Sequence, residues 1–214
     1  MAYVLGFIFA DGTVEDCRES SRTCYLQLTN NDHALLDEIK KTMSSNHSLY
    51  FRPQKYNKFR NGSYQCKATY NLRIGSKLIY EDLSMYGLTP RKSLKIRLPQ
   101  VPDDLFGFFL RGYFDGDGCV NVYKKTPDGL AIQVVFTCGS KLFLCELSNI
   151  ISKLADVKNK NIFSQSYAFR LRYVAEEAVS VLDLIYRDLN KSPYLRKKFN
   201  IYSEYQASKC QIYR

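Results

Sequence analysis

Histidine is scarce in this chain, tryptophan is absent, and no two cysteines form a Cys-x-x-Cys pair. Only His33 and His47 occur in 214 residues, beside seven cysteines at 17, 24, 66, 119, 138, 145 and 210. Nucleophilic Ser-His or Cys-His chemistry needs a positioned imidazole, so this scarcity argues against it. The cysteine spacings likewise argue against a zinc site or a disulfide framework. They read as small apolar thiols in a reducing, intracellular compartment. Long hydrophobic runs are also missing. The apolar stretch from Ala2 to Ala10 is too short to span a bilayer and no basic segment precedes it, which predicts neither membrane insertion nor secretion. Glycine patterns for nucleotide binding are absent. Asp115-Gly-Asp117-Gly opens like a calcium loop, but Cys119 and Asn121 break the ligand series and the required Gly and Glu are lacking. Negative charge is in deficit too, with 21 acidic against 31 basic residues, a net +10. Such an excess suits a polyanionic partner, nucleic acid first.

What is present is a repeat. Val4-Leu-Gly-Phe-Ile-Phe-Ala-Asp-Gly12 is echoed by Leu110-Arg-Gly-Tyr-Phe-Asp-Gly-Asp-Gly118. After each, a strand pattern follows (Tyr25 to Thr29, Gln133 to Thr137), then a helical pattern (His33 to Met43, Lys141 to Leu154) with apolar residues at 3/4 spacing. A basic, aromatic hairpin comes next, near Leu49 to Ile74 with Asn61-Gly62 as its turn and near Val157 to Tyr173. Last helices are expected near Lys77 to Tyr86 and Glu176 to Leu189, and each copy ends in a basic run, Arg91-Lys92 or Arg196-Lys197. The matched anchors lie 105 to 108 residues apart. Each half therefore reads helix, two strands, helix, two strands, helix. Pro99 and Pro102 mark the junction, so the repeats are set at residues 1–100 and 101–214.

The Asp-Gly segments read as helices closed by a left-handed glycine. Gly6 with Ala10, and Gly112 with Gly116, then share faces that lack bulk, and these faces would pack the two helices together. Asp11 and Asp117 would each sit at a helix C-terminus, where the helix dipole opposes a carboxylate by about 0.3 to 1 kcal/mol. Brought together, they would also repel each other. A divalent cation relieves both penalties, and hard oxygen ligands without His or Cys suit Mg²⁺.

These segments resemble those of the LAGLIDADG homing endonucleases in their single-chain, two-repeat form. The first copy keeps Gly6, Ile8, Ala10, Asp11 and Gly12, and the second keeps Leu110, Gly112, Asp115, Asp117 and Gly118, while Phe9 replaces the sixth-position Asp. The resemblance implies an α+β fold of two pseudo-symmetric αββαββα repeats packed through these helices, with an antiparallel β-sheet saddle for DNA. It implies a monomeric, Mg²⁺-dependent endonuclease making double-strand breaks at a long target site, with Mn²⁺ or Ca²⁺ able to occupy the metal site. Asp11 and Asp117 become the catalytic metal ligands, joined in the metal set by Ala10 and Gly116. Lys92 and Lys197 take the place beside each scissile phosphate, with Lys198 a close competitor. Asn30 takes a water-orienting place that Cys138 occupies in the second copy.

Between Ser48 and Lys77 the chain holds Arg52, Lys55, Lys58, Arg60, Lys67, Arg73 and Lys77, no acidic residue, and six interleaved aromatics. Lys158, Lys160, Arg170 and Arg172 form the counterpart stretch. With Gln27, Lys124 and Gln133 they make the expected double-stranded DNA surface, since strand ribbons fit the major groove and Arg, Lys and Gln read base edges. Two rivals use the same scaffold: an RNA maturase assisting intron splicing, and a DNA-binding protein without catalysis.

Overall fold

The computed structural model describes residues 1–59, 62–90, 92–126 and 129–212. Arg60, Asn61 and Arg91, named above, lie outside the described residues. The first half runs α1 (Ala2–Asp11), β1 (Gly12–Cys17), a single turn α2 (Arg18–Ser21), β2 (Thr23–Asn30), α3 (His33–Thr42), β3 (Leu49–Arg52), β4 (Lys55–Phe59), β5 (Gly62–Cys66), β6 (Thr69–Gly75) and α4 (Lys77–Met85). The second runs α5 (Asp103–Asp117), β7 (Gly118–Thr126), β8 (Gly129–Cys138), α6 (Lys141–Ala155), β9 (Phe163–Gln165), β10 (Ala168–Val174), α7 (Ala175–Tyr186) and α8 (Arg196–Ile212). The expected helix and strand order is found twice. To it are added α2, the β4–β5 pair and the C-terminal α8.

Each half builds a four-stranded antiparallel sheet of the same order, β1-β2-β6-β3 and β7-β8-β10-β9. Side chains alternate across a strand. Leu26, Leu28, Leu72 and Ile74 therefore bury one face of the first sheet, and Leu35, Leu36 and Ile39 of α3 are buried at the same 3/4 spacing that marked that helix in the sequence. In the second half Ile132, Val134, Phe136, Leu171 and Tyr173 are the inward set, with Phe143, Leu144, Leu147 and Ile151 of α6. Three helices start on polar caps that satisfy an otherwise orphan N–H: Asp32 accepts from Leu35, Ser76 from Ile79 and Ser140 from Phe143.

By its contacts the chain divides into one unit of residues 11–90 with Met1 and another of residues 2–10 with 91–214. Helix α1 thus groups with the second repeat, although the sequence sets it in the first. Among the described residues no helix is long and apolar enough to cross a membrane.

Candidate functional site

The grouping of α1 with the second unit has a local cause. A Cβ placed on Gly6 would stand 2.0 Å from the Phe109 carbonyl oxygen, and one on Gly112 would stand 2.0 Å from the Tyr3 carbonyl oxygen. The two glycines face each other's helix backbone, so α1 and α5 cross in direct main-chain contact, as the small-residue faces predicted. Around the crossing Tyr3, Val4, Phe7, Phe9, Phe109, Leu110 and Tyr113 are buried, and the Phe9 ring meets Phe109 edge-on at 5.5 Å and stacks on Phe143 at 6.2 Å. Phe9 thus fills with apolar contacts the place that holds a carboxylate in the second copy.

Asp11 is the last residue of α1 and Asp117 the last of α5. The glycine that follows each is not left-handed. Gly12 and Gly118 open strands β1 and β7 directly, and Gly118 has an extended φ of −89°. Glycine is required at 118 for room: a Cβ would meet Phe114 Cδ2 at 2.2 Å and its carbonyl oxygen at 2.5 Å.

Each helix end receives a lysine. Lys92, in a 3-10 turn (Lys92–Leu94), donates from Nζ to the carbonyls of Phe9 at 2.6 Å and Ala10 at 3.1 Å. At the end of α5 the lysine is Lys198, whose Nζ donates to the carbonyls of Phe114 at 2.6 Å, Asp115 at 3.0 Å and Gly118 at 2.5 Å. Lys197 does not take this place. One residue earlier on α8, its side chain is turned about 100° away, and it is exposed. An ammonium on the last carbonyls of a helix offsets the negative end of the dipole. Asn30 ends β2 and uses its Oδ1 to accept from the Asp32 N–H at 2.9 Å; Cys138 ends β8 with Sγ accepting from the Ser140 N–H at 3.4 Å. The matched pair therefore shapes the strand-to-helix turn in both halves. Burial pushes the Cys138 thiol up, with the Ser140 N–H opposing.

Sequence reasoning gave no role to Asp115, Tyr3 or Arg111. Asp115, 2% exposed, accepts at Oδ2 from the Tyr3 hydroxyl and from the Leu195 N–H, each at 2.8 Å, which ties α1 and the approach to α8 onto α5. Its Oδ1 is buried without a hydrogen-bond partner. Arg111, fully buried, donates to the carbonyls of Ile185, Arg187, Leu189 and Ser192 and closes the end of α7. Burial raises the Asp115 carboxyl to about 6, against the Tyr3 and Leu195 hydrogen bonds and the Lys198 and Arg111 charges. Raised above its ordinary 3.8, this group contributes stability fully present below pH 4 and lost as pH rises through about 6. The loss amounts to about 3 kcal/mol. Urea unfolding in EDTA at pH 4 and pH 7 should therefore show a smaller pH decline for Asp115→Asn than for the wild type, whereas parallel profiles would reject this account.

The outward faces of the sheets carry polar and basic side chains. In the first sheet Gln27 and Arg73 lie opposite each other, beside Thr29 opposite Asn71, and Arg52 lies on β3. Gln27 and Thr29 both donate to the buried Asn71 Oδ1. Arg73 stacks over Tyr25 at 4.0 Å and is paired with Glu15 at 2.8 Å, so a stretch free of acid in sequence meets one across the sheet. In the second sheet Arg172 lies opposite Val135 and Arg170 opposite Thr137, with Gln133 on the same face two residues along. Lys124 is exposed near the far end of β7. Lys55 and Lys58 stand on β4, and Lys67 just after β5. Lys158 and Lys160 do not lie on a strand. They sit in the loop after α6, where Lys160 is paired with Glu177 at 2.6 Å.

Residues 107–184 match the family model of the LAGLIDADG-like domain. Beyond the matched span, the fold of most of the chain is like that of several solved structures. It is similar to the homing endonuclease I-WcaI bound to its DNA recognition sequence (TM-score 0.61, 15% identity, 94% of this chain and 84% of that one). It is similar also to the LAGLIDADG meganuclease I-CpaMI bound to uncleaved DNA (0.60, 11%, 95% and 89%). A third is I-DmoI in complex with DNA and Ca (0.50, 16%, 86% and 84%). Among curated proteins it is 25% identical over 180 residues to a probable translation initiation factor IF-2 of Methanocaldococcus jannaschii. The match takes in 81% of this chain, which spans about 14% of that relative's length.

Among the described residues no group of three or more His, Cys, Asp or Glu is placed to hold an ion. An ion held at an aspartate-terminated LAGLIDADG helix would complete its shell from carbonyl, water and phosphate oxygens. That donor set fits Mg²⁺, which keeps several waters and is commonly held by one or two carboxylates plus phosphate.

Proposed function

We propose that the chain is a site-specific DNA endonuclease that acts as a single chain and makes a double-strand break with Mg²⁺. The observation that carries this reading is the pair of crossed helices, each ended by an aspartate and each with a lysine folded onto its last-turn carbonyls. Lys92 and Lys198 offset the negative end of each helix, and an aspartate at each matched end offers the hard anionic oxygen that suits a divalent cation. Asp11 and Asp117 would hold the metal, with their chain neighbours Ala10 and Gly116 offering carbonyl oxygens. A bound Mg²⁺ supplies Lewis-acid stabilisation of charge on the phosphate and activation of water. Lys92 and Lys198, anchored on backbone carbonyls, hold a positive charge near the helix ends, where it faces phosphate. Gln27, Arg52, Arg73, Gln133, Arg170 and Arg172 line the strand faces that meet double-stranded DNA. That I-WcaI and I-CpaMI are bound to DNA, and I-DmoI to DNA and Ca, supports the same reading.

Selecting cleaved members of a randomised duplex library tests it. With Mg²⁺ one long site should be enriched as linear product, and EDTA should abolish the cut. Binding to a selected site without nicking in Mg²⁺ or Mn²⁺ would leave a DNA-binding protein and overturn the enzymatic claim.

A further inference from the structure

The helix that follows each four-stranded sheet is covered in the second repeat and bare in the first. Gly75 lies opposite Tyr25 and Val174 opposite Gln133, and Tyr25 and Gln133 are matched positions of the repeat. Met85 and Tyr86 at the end of α4 therefore correspond to Leu184 and Ile185 of α7. Leu184 and Ile185 are buried, whereas Met85 and Tyr86 are 81% and 45% exposed. What covers α7 is another helix. A Cβ on Gly107 of α5 would stand 2.9 Å from the Leu184 carbonyl oxygen and 3.7 Å from its Cδ1, and Arg111 of α5 donates to the Ile185 carbonyl.

The exposure of Met85 does not come from a frayed helix end. Ser76 caps the start of α4, and at its close the Tyr86 and Leu88 N–H groups donate to the Leu83 carbonyl while Gly87 donates to that of Ser84. Gly87 takes a left-handed φ of +81° and Leu88 beyond it is buried, which locks the last turn. On this firm helix Leu78, 74% exposed, stands two turns before Met85 on the same face. Glu81 and Asp82 lie between them and are exposed. Among the described residues neither carboxylate makes an ion pair.

The charge on this face selects its occupant. A chain of net +10 suits a polyanion, but an apolar stripe flanked by free carboxylates repels one. Its complement is a helix with apolar residues along one face and Lys or Arg on the flanks. We propose that the Leu78–Met85 face of α4 is a docking site for a basic amphipathic helix of a partner protein, laid on α4 as α5 lies on α7. The inference is independent of DNA cleavage.

The test uses the full chain with its three methionines methyl-labelled for NMR. It is titrated with two synthetic helices, one with leucine at i, i+3, i+4 and i+7 among lysines, the other with glutamate in place of lysine. The lysine helix should move the Met85 signal and leave those of Met1 and Met43 unmoved, and the glutamate helix should move none. Met85→Glu should weaken binding of the dye-labelled lysine helix by about tenfold or more, because docking would bury an unpaired carboxylate. Glu81→Lys with Asp82→Lys should weaken it by about tenfold through like-charge repulsion. Unchanged affinity in these variants, no binding, or a shift at Met1 or Met43 in place of Met85 overturns the site. A Met85 shift produced by duplex DNA, or by raising the protein concentration alone, makes nucleic acid or a second copy the occupant and overturns the proposal too.

Discussion

Asp117→Asn should lose double-strand cleavage by about 10³-fold or more, because it would remove one anionic oxygen from the proposed cation, whose charge stabilisation would be worth several kcal/mol. Affinity for the target, measured in Ca²⁺ by gel shift, should stay within about threefold, since on the proposed reading phosphate contacts along the strands would supply most of the binding. Asp11→Asn should behave alike. Cleavage at wild-type rates by either variant would refute the assignment of the helix-terminal carboxylates. Lysine variants give the matching contrast. Lys198→Met removes a charge held on three carbonyls of the α5 end and should slow cleavage, whereas Lys197→Met changes only an exposed residue at the start of α8.

Gly112→Ala, like Gly6→Ala, is expected to cost heavily in stability. Its new methyl would stand 2.0 Å from the Tyr3 carbonyl oxygen and 2.8 Å from the Phe7 nitrogen, both backbone atoms that cannot rotate aside. The α1–α5 crossing must open, and the rings of Phe9, Phe109 and Phe143 lose their packing with it. Over-packing of this kind costs about 3 kcal/mol or more, read as a lowered urea midpoint. Gly75→Ala is the control: its methyl would approach only the Tyr25 ring, at 3.2 Å, and a side chain can shift. Equal midpoints for the two variants would show that the crossing carries no special weight.

The helices and strands were legible in sequence because each depends on a short-range period. Leu35, Leu36 and Ile39 repeat at 3/4 spacing and are buried on α3; Leu26 and Leu28 alternate and are buried on β2. The glycines at the helix crossing were legible through the repeat, whose matched small residues face one another. Their closing partners Gly12 and Gly118 were misread, because a sequence shows that glycine is needed but not whether φ or room requires it. At 118 it is room beside Phe114. The contribution of α8 was hidden for a related reason: a basic run names several lysines, and only the rotation of the helix selects Lys198 over Lys197.

Composition and periodicity alone set the repeated order of elements, the basic strand faces and the two aspartates at helix ends. Those features follow from neighbours a few residues apart or from matched copies of one motif. Tertiary structure alone placed Asp115 under Tyr3 and Leu195, brought Glu15 beside Arg73, paired Lys160 with Glu177 and set β4–β5 in a two-stranded sheet of its own. Burial and cross-strand pairing join residues distant in the chain, and the charge a side chain meets there depends on the register of strands and the crossing of helices.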